Sequence, residues 1–385
     1  MIDLITARES FESAADFTVG LEEEFALIDP ESLLLVPAFE PLRDAALADD
    51  VLASAVAGEL ISSEIEIRSG AGRNHADAVE RQREARRRLF ALASEGGVAL
   101  GSTGTHPLSD YRDQLIIDTE HYRRVEDGLR YVAWRNNTFS VHVHVGVRGA
   151  DRALRVCDRL RPVLPTLLAL SANSPFVDGR DSGLHSARSQ TFTKSFPRCG
   201  VPDAFGSWAA WRDYVELLVR TGSIVEFTQL WWSIRPHHAF GTVEVRICDA
   251  QTSAREADAL TGLIVGCVRR AAEEIDSGES AREIPGRLIE ENMWRAIRFG
   301  LDGRQLDLEA DRVEELPARE AVERLRSWAG VEVELPELNG AQRQRRMIDA
   351  GAAPAEVYAE CVRETQATYG GIDVSSHQHQ EETVP

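Results

Sequence analysis

The sequence predicts an α+β protein in which helices cover one face of a mainly antiparallel sheet and leave an acidic face open. Two observations predict it. Four separated segments alternate between a largely aliphatic side and a side of charged residues or histidine, and after Ala254 the pattern is almost wholly helical. Parallel βαβ order is compatible with the element order, but clean alternation is the mark of antiparallel strands with one covered and one solvated face.

The first segment, 17–28 (FTVGLEEEFALI), places Glu22 and Glu24 on one face and Leu21, Glu23 and Phe25 on the other. The second, 60–68 (LISSEIEIR), sets Glu64, Glu66 and Arg68 against Ile65 and Ile67. Asn74 opens a helix that runs to about Ser94 and stops at Gly96-Gly97. A short strand follows over 98–104. The most regular strand, 138–147 (TFSVHVHVGV), puts Ser140, His142 and His144 on one face and Val141, Val143 and Val145 on the other. Residues 151–171 read as a helix that Pro162 and Pro165 must kink or divide. A loop rich in Gly, Ser, Pro and Arg spans 173–203, and a helix runs from Trp208 to Arg220. The fourth strand, 242–248 (TVEVRIC), opposes Glu244 and Arg246 to Val243, Val245 and Ile247. Helices are expected at about 254–275, 279–299, 317–328, 340–349 and 354–368. Because the strands spread over the first two thirds of the chain, they are expected to meet in one sheet, giving a single catalytic domain over 1–370. A frayed tail is expected over 371–385.

Composition narrows the function. Among 385 residues the formal net charge is −20, which argues against nucleic-acid or anionic-membrane partners, since both need a basic footprint. A small anionic substrate remains compatible, because metal ions or a few arginines reverse a local field. Five scattered cysteines without a CxxC point to a reduced, cytoplasmic protein without a disulfide framework. The first residues lack the pattern of a signal peptide, and the most apolar windows are too short for a membrane span. There is no GxxxxGK[ST] and no GxSxG, Gly101–Gly104 is too short for a dinucleotide fingerprint, and Cys248 lacks a base partner.

The open faces carry the chemistry. If they converge, Glu22, Glu24, Glu64, Glu66, His142, His144 and Glu244 share one concave surface. Strands lie about 4.8 Å apart, and two carboxylates at roughly 5 Å repel by about 3 kcal/mol at an effective dielectric near 20. Cations among them relieve this, and Mg²⁺ suits the task, taking hard oxygen ligands and bridging carboxylates to nucleotide phosphates. For any one strand an ordinary solvated face accounts for the pattern; for four together it does so less well. The pair His142 and His144 also suits zinc or iron, or a structural role. Arg235 and Arg246 suit a bidentate grip on carboxylate or phosphate, and Arg246 equally suits pairing with a glutamate across the sheet. Arg180, Arg188, Lys194 and Arg198 make the 173–203 loop a candidate substrate cover.

Together, Gly20–Phe25 (GLEEEF), Glu64-Ile-Glu66, His142-Val-His144, Asn173–Phe176 (NSPF) and Gly241–Arg246 (GTVEVR) resemble the carboxylate–amine ligases of the glutamate–cysteine ligase type 2 family, most closely its YbdK-like subfamily. The resemblance covers roughly residues 15 to 370 in order and spacing. It implies a glutamine-synthetase-like catalytic fold with a curved, mainly antiparallel sheet whose inner face holds metal, ATP and substrate. It implies Mg²⁺, with Mn²⁺ as a substitute, on Glu22, Glu24, Glu59, Glu66, His142 and Glu244. Glu59 needs a turn or bulge near Ser62 and Ser63 to reach the site. Arg246 and Arg235 take catalytic places near the substrate carboxylate or the transferred phosphoryl group, and Arg188 and Asn173 substrate-binding places. The expected reaction activates the γ-carboxylate of glutamate as an acyl phosphate for attack by an amine such as cysteine, with weak glutamate–cysteine ligase activity. A metal-dependent amide hydrolase and a non-catalytic nucleotide binder are the alternatives. The 76–94 helix and the C-terminal helices are available to pack between subunits of a homodimer.

Overall fold

The computed structural model describes residues 3–279, 282–310 and 312–371. The expected tail therefore lies outside the described residues from 372 onward.

The alternating segments do form one sheet. Its strands are β1 (Val19–Ile28), β2 (Val56–Ala57), β3 (Glu64–Arg68), β4 (Ala99–Gly101), β5 (Ser140–Gly146), β6 (Ile234–His237) and β7 (Thr242–Asp249). They lie in the order β6-β7-β5-β1-β3-β2, with β4 paired to the far end of β1. Every pairing in this sheet is antiparallel. Register decides which side chains meet: Glu22 stands opposite His142 and Arg68, Glu24 opposite Glu66, and Glu244 opposite both His144 and Arg235. Strand β7 carries one extra residue between Val245 and Cys248. This bulge turns both Ile247 and Cys248 into the core while Arg246 stays on the open face.

Helices seal the aliphatic face. Val143, Val145, Val243 and Val245 pack in one cluster with residues from helices Ala150–Leu160, Leu164–Ser171 and Ala254–Ser277. Phe25, Ile65 and Ile67 pack with Leu89, Phe90 and Tyr369 from helices His75–Glu95 and Pro354–Gly370. Helix His75–Glu95 begins where Asn74 accepts a hydrogen bond from the Asp77 amide, and it buries Ala78, Gln82, Ala85, Arg86, Leu89 and Ala93 at helical spacing. Pro162 and Pro165 divide the 150–171 stretch, with a 3₁₀ turn over Arg161–Val163 between two helices.

One glutamate of β1 faces the helices. Glu23 accepts from Arg86 Nε and Nη2 at 2.7 Å each and from Gln82 Nε2 at 2.9 Å, while Arg86 Nη1 reaches Asp258 at 2.9 Å. Glu23 and Arg86 are both almost fully buried. Arg86→Ala leaves an uncompensated buried carboxylate, so it should cost about 3–5 kcal/mol in urea unfolding; a loss below about 1 kcal/mol would show that water or a neighbour takes over the pairing.

The structure departs from expectation in several places. Only Glu64–Arg68 of the 60–68 segment is strand. Ser62 donates to Glu40 at 2.5 Å and Ser63 to Gln114 at 2.6 Å, which anchors the turn that Glu59 was expected to need. The 279–299 helix starts at Gly286. Loop 173–203 contains a short helix, Ala187–Thr191, whose N-terminus Ser186 caps. Strand β6 was not foreseen; its Pro236 has no amide to give a neighbour, which an edge strand tolerates. Helices Leu4–Glu12, Phe39–Ala46 and Glu120–Leu129 were not foreseen either. All five cysteines are free. Among the described residues no helix is long and apolar enough to cross a membrane.

Candidate active site

The open face of the sheet floors a cavity of about 300 Å³. Glu22 and Glu24 of β1, Glu64 and Glu66 of β3, His142 of β5 and Glu244 and Arg246 of β7 all line it, as does Glu59 from the loop before β3. The charged faces read from four separate segments thus converge.

A chain of contacts runs across the floor. Glu24 Oε2 accepts from the Ser140 amide at 2.5 Å and its hydroxyl at 2.7 Å, and the same hydroxyl lies 2.8 Å from His142 Nε2. His142 Nδ1 lies 3.0 Å from Glu22 Oε2. His144 Nε2 points between Glu22 and Glu244, at 3.3 and 3.8 Å, while its Nδ1 lies 3.0 Å from the Thr242 hydroxyl. Glu244 is held by Arg235 through Nε at 2.5 Å and Nη2 at 3.2 Å, and it also pairs with Arg246. Arg68 Nε contacts Glu66 at 2.5 Å from the rim.

These carboxylates divide by their counter-charges. Burial works against ionising Glu22, yet His144 and the hydrogen bond from His142 hold it well below the usual carboxylate range. Burial is likewise outweighed at Glu244, by Arg235 and Arg246. At Glu59 and Glu66 the nearby cations do not offset burial and the neighbouring carboxylates, and at Glu64 these raise the carboxyl as well. Burial, then the Glu24 charge, pushes Glu59 up to about 7 and Glu64 well above its ordinary value. Burial, then Glu22, does the same to Glu66. Burial and Arg246 lower His142, whereas Glu22 and Glu244 raise His144 against its burial.

A hard divalent cation fits this arrangement. Donor atoms lie within 4.8 Å of one another in three groups: Glu24, Glu59 and Glu66; Glu22, Glu66 and His142; and Glu22, His144 and Glu244. Glu64 Oε2 is buried without a partner beside them. Each group has at least two carboxylates, and His142 and His144 fall in different groups. The two histidines therefore do not form the paired site that zinc or iron favours, and the oxygen-rich set matches Mg²⁺ or Mn²⁺.

The expected substrate-binding residues fare differently. Arg188 lines the cavity, with Nη1 and Nη2 donating to the carbonyls of Ile247 and Arg246 at 3.0 and 3.2 Å and a buried Nε without a partner. Asn173 does not line it. Its amide side chain donates to Ala250 and Thr252 and accepts from Gln344, so it ties the loop to the end of β7. The substrate-binding expectation for Asn173 is thus replaced by a structural role. Arg180, Lys194 and Arg198 also lie off the cavity; Lys194 pairs with Glu290, and Arg198 donates to the Gln229 carbonyl. From the loop, Phe192 and Phe196 line the cavity instead. Sequence reading missed His121, Tyr122, Asn136 and Trp231, which lie outside any segment of clear periodicity, and Thr138, which opens the most regular strand but carries no charge to mark it. Cys248 is buried, and burial pushes its thiol up to about 12, unsuited to nucleophilic attack.

Comparison with known proteins agrees with this arrangement. The family model described as glutamate-cysteine ligase family 2 matches residues 18–377. Two proteins of Rubrobacter xylanophilus, provisionally designated glutamate–cysteine ligase 2-2 and 2-1, are 38% and 40% identical to the chain. The alignments cover 93% and 92% of this chain and 94% and 96% of theirs. The crystal structure of glutamate–cysteine ligase from Francisella tularensis, solved in complex with AMP, superposes with a TM-score of 0.66. It covers 94% of this chain and 91% of that one at 11% identity. At that identity the likeness concerns the fold, an α+β arrangement around an antiparallel sheet as expected from the sequence.

Proposed function

The chain belongs to glutamate-cysteine ligase family 2 and is a carbon–nitrogen bond-forming ligase, and from that premise we propose that it is ATP-dependent and activates the γ-carboxylate of glutamate as an acyl phosphate for attack by an amine such as cysteine. The observation that carries this reading is the convergence of Glu22, Glu24, Glu59, Glu66 and Glu244 with Arg235 and Arg246 in one cavity. Unbalanced acids need cations, and the neighbouring guanidinium groups suit an anionic reacting group.

In the proposed reaction the γ-phosphoryl group of ATP passes to a carboxylate oxygen, giving acyl phosphate and ADP. The amine nitrogen then adds to the acyl carbon and loses a proton, and phosphate leaves with that oxygen. Magnesium, or manganese in its place, would be held by Glu22, Glu24, Glu59, Glu66, His142 and Glu244 and would neutralise the phosphate charge. The protein's own part is placement and charge. Arg246 carries a buried Nε–H without a partner at the cavity wall, as does Arg188. In this reading Arg246 would grip the carboxylate or the transferred phosphoryl group, where preorganised donors count most, with Arg188 beside it. Arg235, bound to Glu244 and to the Leu230 carbonyl, holds Glu244 in place. Phe192, Phe196 and Trp231 form an aromatic wall that shields the acyl phosphate from water.

Phosphate release from ATP and Mg²⁺ tests the proposal across pairs of amino acids. The expected result is release that requires both an acid such as glutamate and an amine such as cysteine. Amide cleavage in nucleotide-free buffer, with no pair-dependent phosphate release, would replace the ligase reading with a hydrolytic one.

A further inference from the structure

An ATP held by its phosphates at the acidic floor needs somewhere to lay its base. A base stacks on an exposed flat aromatic face, and most aromatic rings at this cavity have none to offer. Phe192, Phe196 and Trp231 pack on one another, with Arg198 over Trp231. Tyr122 donates to the Gly58 carbonyl and packs edge-on against His121.

Phe240 differs. It sits in the tight turn joining β6 to β7 and lines the cavity mouth, yet it is 58% exposed. One face of its ring lies on His237, with centroids 4.6 Å apart and planes 13° from parallel, and His144 packs edge-on at 5.6 Å. The turn is fixed: Phe240 N donates to the His237 carbonyl, Gly241 has φ +63°, and a side chain there would collide with the Ser10 carbonyl. The outer face of Phe240 is left bare and its orientation set. Position agrees too. His237 pairs with Thr242, two residues from Glu244, so Phe240 lies one turn beyond a stretch of about 7 Å from the acidic floor. That separation suits the distance between the phosphates and the base of a nucleotide.

We infer that Phe240, backed by His237, is the stacking platform for the nucleobase of ATP. This rests on the ATP-dependent reading above and adds the residue that holds the base. Calorimetric titration of the full chain with ADP and with inorganic tripolyphosphate, each with Mg²⁺, tests it. Phe240→Ala should weaken ADP binding about 10- to 100-fold, leave tripolyphosphate binding within twofold, and be rescued by Phe240→Trp. Unchanged ADP affinity in Phe240→Ala, with pair-dependent phosphate release still measurable, would overturn the platform alone. Equal losses for ADP and tripolyphosphate would overturn it as well, showing damage to the phosphate end. Failure of the wild-type chain to bind ADP at all would overturn both the platform and the ATP-dependent reading.

Discussion

Glu66→Gln should abolish turnover and, at the same time, stabilise the metal-free protein. Glu66 belongs to two of the three donor groups, with Glu24 and Glu59 and with Glu22 and His142. An amide there keeps the shape and loses the charge that binds a cation, so turnover should fall by at least about 10³-fold. Stability should move the other way. Burial and neighbouring carboxylates raise Glu59, Glu64 and Glu66 above their unfolded value of 4.5, Glu59 to about 7. A carboxyl raised on folding binds its proton more tightly when folded, so stability is lost as pH climbs from about 4.5 through 7. Metal-free protein should therefore melt lower at pH 8 than at pH 6, and Mg²⁺ should flatten that slope. Removing one of the repelling groups should raise the metal-free melting temperature at pH 8 by about 2–4 °C. Differential scanning calorimetry with and without EDTA reads both effects. A melting temperature that falls in the variant would mean that Glu66 serves chiefly to hold Arg68.

Arg246→Ala should cost about 10³-fold in kcat/KM with little loss of fold. Arg235 and Arg246 both pair with Glu244, but they do so unequally. Arg235 makes two bonds to that carboxylate and one to the Leu230 carbonyl, so without Arg246 the buried glutamate still has a partner. Arg235→Ala strips away the stronger support and should destabilise by about 3–5 kcal/mol. Arg246→Lys should not rescue, since a point charge lacks the planar donor pair. Chemical denaturation beside steady-state kinetics separates the two arginines. If Arg246→Ala unfolds the protein as readily as Arg235→Ala, Arg246 is a structural clamp.

The sheet and the acidic floor were legible because alternation and charge coincide. Glu66, His142 and Glu244 are flanked by aliphatic residues on both sides, and Glu22, Glu24 and Glu64 keep the same period of two, so the strand period alone sorts the faces. What the sequence concealed were contributions from irregular backbone. Glu59 reaches the cavity only through a turn anchored by Ser62 and Ser63. His121, Tyr122 and Trp231 come from segments without a two-sided pattern. Asn173 misled for a different reason: a motif resemblance locates a residue without saying which way its side chain points, and here Ala250, Thr252 and Gln344 engage its side-chain polar atoms. Glu23 shows the converse, an acidic residue on the covered face whose buried arginine partner lies 63 positions away.

The extra residue in β7 reaches beyond local twist. By interrupting the ladder it leaves the carbonyls of Arg246 and Ile247 to be claimed by Arg188, which bolts the helical step Ala187–Thr191 onto the back of the strand. The 173–203 segment is consequently anchored twice, by Arg188 to this strand and by the pairing of Cys199–Gly200 with Trp231–Trp232. Phe192 and Phe196 lie between these two anchors, so the place of that aromatic pair at the cavity is set from both sides.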